Sequence, residues 1–100
     1  MRNSVQVKVL PVSDKYLDYA KEIMAKIYEE GIRAELDDRD EKLGFKIREA
    51  RMQKVPYMII VGEKEKDNRL VSVRQRDAEQ DKQEIGEMDM ADFIDLLKRS

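Results

Sequence analysis

One hundred residues hold one domain with one modest core, and a composition of 41% apolar and 42% charged residues describes a folded chain with a heavily charged surface. A net charge of -2 argues against an indiscriminate polyanion binder, so any nucleic-acid contact must come from a local patch. The absence of cysteine and histidine excludes disulfides, thiol nucleophiles, structural zinc and the usual general base; no apolar run approaches the ~20 residues of a membrane span, and no signal peptide is read ahead of Val5.

Val5-Gln-Val-Lys-Val-Leu10 alternates apolar and polar residues and predicts a strand ended by Pro11. Ser13 is placed to cap a helix running to Glu30, in which Tyr16, Leu17, Ala20, Ile23, Met24, Ile27 and Tyr28 fall within an arc of about 140°. Gly31 is its expected left-handed cap, and 33–37 a second strand. Next comes the stretch around which the chain is organised, Asp37 to Tyr57. Four carboxylates and one arginine occupy 37–41; from Lys42 to Lys54 five basic residues stand against Glu49 alone, a local excess of +4. Asp40 is expected to cap a helix over 41–54, with Leu43, Ile47 and Ala50 inward and Phe45 and Met52 on the opposite side. Pro56 stops that helix before the apolar strand Tyr57-Met-Ile-Ile-Val61. Residues 62–68 read as a charged turn, 70–76 as the antiparallel partner of the preceding strand, 77–83 as a polar connection, Ile85 and Met88 as marks of a short last strand, and 89–98 as a helix capped by Asp89. Strands alternating with helices over the first sixty residues call for right-handed crossovers and a parallel sheet.

A basic helix opening at the carboxyl end of one strand lies where open α/β sheets bind ligands. The acidic cluster Asp37, Asp38, Asp40, Glu41 does not fit a calcium loop, which finds Lys42 and Leu43 where it needs an acid or amide and a glycine. A solvated strand end is the plainer reading. Four scattered glycines build no phosphate loop. The basic set Arg48, Arg51, Lys54, Arg74 and Arg76 comes from a helix and a strand that the topology brings near one another, and with Arg69 three arginines crowd the second segment. Arginine's planar fork suits phosphates and base edges. Phe45 is a stacking candidate, although a second buried face of a sandwiched helix is the commoner use. Glu65 stands out: in a basic rim it either balances charge or reads a base, guanine being the one whose edge offers N1–H and N2–H side by side.

The segments 38–49, 54–65, 71–76 and 86–93 resemble the C-terminal anticodon-binding domain of threonyl-tRNA synthetase, a class II synthetase, from Val5 to Leu97. The Val-Pro strand entry is shared with the proline, glycine and histidine enzymes; Glu-Lys-Leu-Gly-Phe-Lys-Ile-Arg (41–48) and Val-Gly-Glu-Lys-Glu (61–65) are specific to the threonine branch. The resemblance implies a three-layer α/β/α fold around a five-stranded mixed sheet with one antiparallel strand, in a single domain over 1–100 with residues 1–4 as a disordered or vector-derived start. It implies an RNA-binding module that reads the guanine and uridine of the tRNA anticodon and positions the tRNA for a catalytic domain elsewhere. Glu65 and Arg74 match residues that contact those bases, and Lys42 one beside the loop. Asp40 stands where the family usually has asparagine; an aspartate only accepts hydrogen bonds and repels phosphate. The expected set is therefore Glu65, Arg74, Lys42, Asp40, Arg48, Arg51, Lys54, Arg76 and Phe45. No catalysis, cofactor, metal or membrane is expected of this domain; its location is cytoplasmic, its partners tRNA and the remaining synthetase domains, with a homodimer only for the full-length threonine–tRNA ligase. The alternative is a regulatory or protein-interaction domain that keeps the fold without reading tRNA.

Overall fold

The computed structural model describes residues 5–75 and 84–99. Its elements are β1 (Val7–Pro11), a short 3₁₀ turn (Asp14–Tyr16) running into α1 (Leu17–Glu29), β2 (Ala34–Leu36), α2 (Leu43–Met52), β3 (Tyr57–Val61), α3 (Glu63–Asn68), β4 (Val71–Gln75), β5 (Glu84–Met88) and α4 (Met90–Arg99). The five strands form one sheet in the order β2-β1-β3-β4-β5. β1 pairs in parallel with β2 and β3, while β4 is antiparallel to both β3 and β5. Only β4 therefore runs against the rest.

Both faces of this sheet are covered, which is why β3 is apolar at every position. On one face Val7, Val9, Tyr57, Ile59, Val61, Val71 and Val73 meet Tyr19, Ala20, Ile23 and Ile27 of α1 and Phe93 of α4. On the other, Leu10, Met58 and Ile60 meet Leu43, Ile47 and Ala50 of α2. This is the three-layer architecture that the resemblance implies. α1 ends as its sequence demands: Gly31 takes φ +76°, its N–H donates to Tyr28, and Ile32 N–H donates to Ile27 O at 3.4 Å. Asp89 caps α4 by accepting the Asp92 N–H at 2.8 Å.

Three expectations are corrected. Residues 63–68 are a helix, not a turn. Gly62 precedes it in extended backbone, Glu65 Oε1 accepts the Gly62 N–H at 2.8 Å, and Arg69 ends it at φ +57°. Asp40 caps nothing: α2 starts after Lys42, which is extended and provides no side-chain cap. Arg69 belongs to no strand; its guanidinium pairs with Glu22 at 2.6 Å and lies 5.3 Å from the Tyr19 ring centre. The 77–83 connection falls outside the described residues.

Candidate nucleic-acid interface

Three loops leave the carboxyl ends of β1, β2 and β3 on one side of the sheet. The loop after β2 is held by its own charges. Asp37, whose side chain is only 3% exposed, accepts from Arg39 Nε at 2.9 Å and Nη2 at 2.8 Å. Arg39 also pairs with Glu49 of α2. The buried Lys46 ammonium donates to the Asp37 carbonyl at 3.1 Å. Hydrogen bonds from Arg39 hold the Asp37 carboxyl below its ordinary range, and its bonds to Asp37 and then to Glu49 keep Arg39 firmly cationic. An open cleft of about 310 Å³ lies between this loop and the one after β1, lined among others by Val12, Ser13, Asp38, Asp40 and Glu41.

α2 has two unlike edges. At 100° per residue, Lys46, Glu49 and Gln53 lie on one side of the Leu43–Ile47–Ala50 stripe, Arg51, Gly44 and Arg48 on the other. The first edge faces β2: Gln53 accepts from Lys8 at 3.2 Å, and Lys8 reaches Glu35 of β2 at 2.8 Å. The second edge therefore faces β3 and β4. Arg74 lies opposite Met58 in the antiparallel ladder, and Met58 is buried beneath α2, so Arg74 is on the α2 face of β4. The pairing pattern of the cations follows the edges. On the β2 side Lys8, Arg39 and Lys46 all have anionic or carbonyl acceptors. Arg48, Arg51, Lys54 and Arg74 form no ion pair among the described residues, and neither does Lys42.

The structure thus brings Arg48, Arg51 and Arg74 to one side of α2. Asp40, Lys42 and Glu65 are at the carboxyl ends of the strands, where Val12 meets Gly62: a Cβ on Gly62 would stand 3.2 Å from Val12 Cγ2 and 3.3 Å from Glu65 Oε1. Lys54 is at the far end of α2, in the left-handed conformation at φ +62°. Arg76 lies outside the described residues. Phe45 is not in a second buried face; it is exposed on the outer side of α2, with the Arg39 guanidinium 5.7 Å from its ring centre. Sequence reasoning missed the Asp37–Arg39–Glu49 chain, whose one visible signal is an acid two residues before an arginine.

Residues 6–100 match the family described as the anticodon binding domain. The chain belongs to that family. As an anticodon-binding domain it is 58% identical over 94 residues to the threonine–tRNA ligase of Clostridioides difficile, and 50% over 93 residues to that of Clostridium perfringens. It spans 14% of the length of each of these curated relatives, and 94% and 93% of its own residues are matched. Among solved structures, the RNA binding domain of threonyl-tRNA synthetase from Cryptosporidium parvum superposes with a TM-score of 0.84 at 26% identity, covering 95% of this chain and 23% of that one. Histidyl-tRNA synthetase from Nostoc sp. PCC 7120 gives 0.85 at 20% identity over 97% of this chain and 22% of its own, a likeness of fold alone. The family match accounts for residues 6–100 and so leaves no room in this chain for an adenylate-forming catalytic domain.

Proposed function

We propose that this anticodon-binding domain binds the anticodon loop of threonine tRNA and positions that tRNA for a catalytic domain carried outside this chain. The observation that carries the reading is the asymmetry of α2. Lys8, Arg39 and Lys46 toward β2 are matched within the fold, and Arg48, Arg51 and Arg74 on the edge beside β4 are left for an external anion. Arg48, Arg51 and Arg74 would take phosphates; Lys42, at the start of α2, would flank the loop. Glu65 would read guanine N1–H and N2–H: its Oε1 keeps a second lone pair beside the Gly62 N–H, and its Oε2 is the other acceptor. Arg74 and the acceptor-only Asp40 are the candidates for the neighbouring uridine. This binding needs no cofactor. Its expected setting is the cytoplasm, alongside the other domains of a threonine–tRNA ligase.

The test is a titration of the chain with an anticodon stem-loop carrying guanine and uridine, against a scrambled loop of equal length. Tighter binding of the matched loop is expected. Equal affinity for both loops would remove the base-reading claim, and no binding to either would favour a domain that keeps the fold without reading tRNA.

A further inference from the structure

Among the described residues, one buried side-chain donor has no hydrogen-bond partner: the Nε–H of Arg51. Buried polar groups are nearly always satisfied, and one left dry and unpaired penalises the folded state. The penalty is avoidable here, since the rest of the side chain is only part-buried and water is near. It also falls on the edge of α2 that faces β4, while Lys8, Arg39 and Lys46 on the opposite side are all matched.

We infer that Arg51 is a phosphate anchor held folded down in the free domain, and that its side chain swings outward when RNA binds. This rests on the anticodon reading above and deepens it. In the resting rotamer the Nε–H is hidden within its own packing, where no ligand oxygen can reach it. Rotation about the side-chain torsions brings Nε and one terminal nitrogen out as a planar fork, the geometry that two oxygens of a phosphodiester fill. The swing relieves an unpaired donor and makes two charge-assisted bonds at once, so RNA binds the extended rotamer better than the folded one. Arg51 then has a signature opposite to that of a structural residue. It weakens the free domain and strengthens the complex.

The experiment compares Arg51→Met, Arg51→Lys and Arg74→Met in the full chain. Urea midpoints are measured without RNA, and affinities for the guanine and adenine stem-loops over a salt series. Arg51→Met is expected to leave the midpoint equal or higher and to weaken both loops alike, about tenfold, which is ~1.4 kcal/mol. Its log–log salt slope should flatten by about 0.7, one phosphate contact to a single strand. Arg51→Lys keeps the charge and lacks the fork, so it should restore the slope and only part of the affinity. A lowered midpoint with unchanged affinity would make Arg51 a packing residue and overturn the inference. If Arg74→Met weakens binding and Arg51→Met does not, Arg51 alone is wrongly assigned; if neither does, the anticodon reading fails with it.

Discussion

Glu65 carries two tasks that a substitution can separate. Its Oε1 closes the start of α3 on the Gly62 N–H, so removing the side chain disturbs the fold and any recognition together. Glu65→Gln avoids that confusion: the amide oxygen keeps the bond to Gly62 while the amide nitrogen replaces Oε2. That donor then opposes a guanine donor and matches adenine, so preference for guanine over adenine should fall by roughly 1–3 kcal/mol, the scale of a good bidentate base contact. Equal losses on both stem-loops would reduce Glu65 to a helix cap. A second residue-scale prediction concerns Asp37. Its carboxyl is held low by Arg39, so its stabilising effect is complete above the unfolded carboxylate value and lost as pH falls through the lower folded value. Asp37→Asn should cost about 1–3 kcal/mol at neutral pH, the range for disrupting a buried charge-assisted bond, and the gap from wild type should narrow below about pH 4 in urea titrations. A gap constant down to pH 2 would assign the loss to shape instead of charge. Glu65 stood out in the sequence as a carboxylate in a basic rim; its bond to Gly62 and the burial of Asp37 did not. Asp37 is one of four carboxylates in five residues, and charge density alone does not say which one the fold buries.

At the scale of elements, the strands and the helices with an apolar stripe were readable because a covered sheet imposes periods of two and 3.6. α3 was not, for a physical reason: Glu-Lys-Glu-Lys-Asp-Asn has no apolar face, and its helix rests on its ends. Gly62 followed three residues later by Glu65 is the signal that pattern reading passed over. The far ends of α2 and α3 share one device. Lys54 N–H donates to Arg51 O and Val55 N–H to Ala50 O; Arg69 N–H donates to Lys66 O and Leu70 N–H to Glu65 O. Both closures use a left-handed residue where glycine is usual, Lys54 at φ +62° and Arg69 at φ +57°. A side chain there costs ~1–2 kcal/mol, and glycine gives back ~0.4–1 through the freedom of the unfolded chain, so Lys54→Gly should stabilise by about 0.5–1 kcal/mol. Lys54→Ala removes the same charge and keeps the strain. Comparing the two by urea midpoint and stem-loop affinity separates the roles. Both should weaken RNA binding equally across loops, and only the glycine variant should gain stability. Different affinity losses would mean that the backbone at Lys54, not its ammonium, shapes the contact.

At the scale of the whole molecule, the sheet order converts a nearly neutral composition into a polarised one. With β2 outside β1 and β4 outside β3, the two edges of α2 look toward different neighbours. One neighbour supplies Glu35 and Asp37; the other carries the half-buried Arg74. The same five basic residues on 42–54 would be mutually cancelled if both neighbours were acidic. This explains how a chain of net charge -2 can present an edge of unmatched cations, and why that edge could not be drawn from sequence alone: the helix period places the residues, but only the strand order says what they face. A consequence separates local contact from bulk attraction. A domain drawn to RNA by its overall charge would need that charge to be positive, and this one is negative. Under the proposed function, the salt dependence of binding must therefore come from local phosphate contacts. Three or four single-strand contacts give a log–log slope of roughly -2 to -3. Triple replacement of Arg48, Arg51 and Arg74 by methionine should flatten that slope by about 2, whereas replacing the exposed Lys15, Lys21 and Lys26, which lowers the net charge by the same amount, should leave it unchanged. A slope that follows net charge in both triple variants would place the RNA elsewhere on the surface.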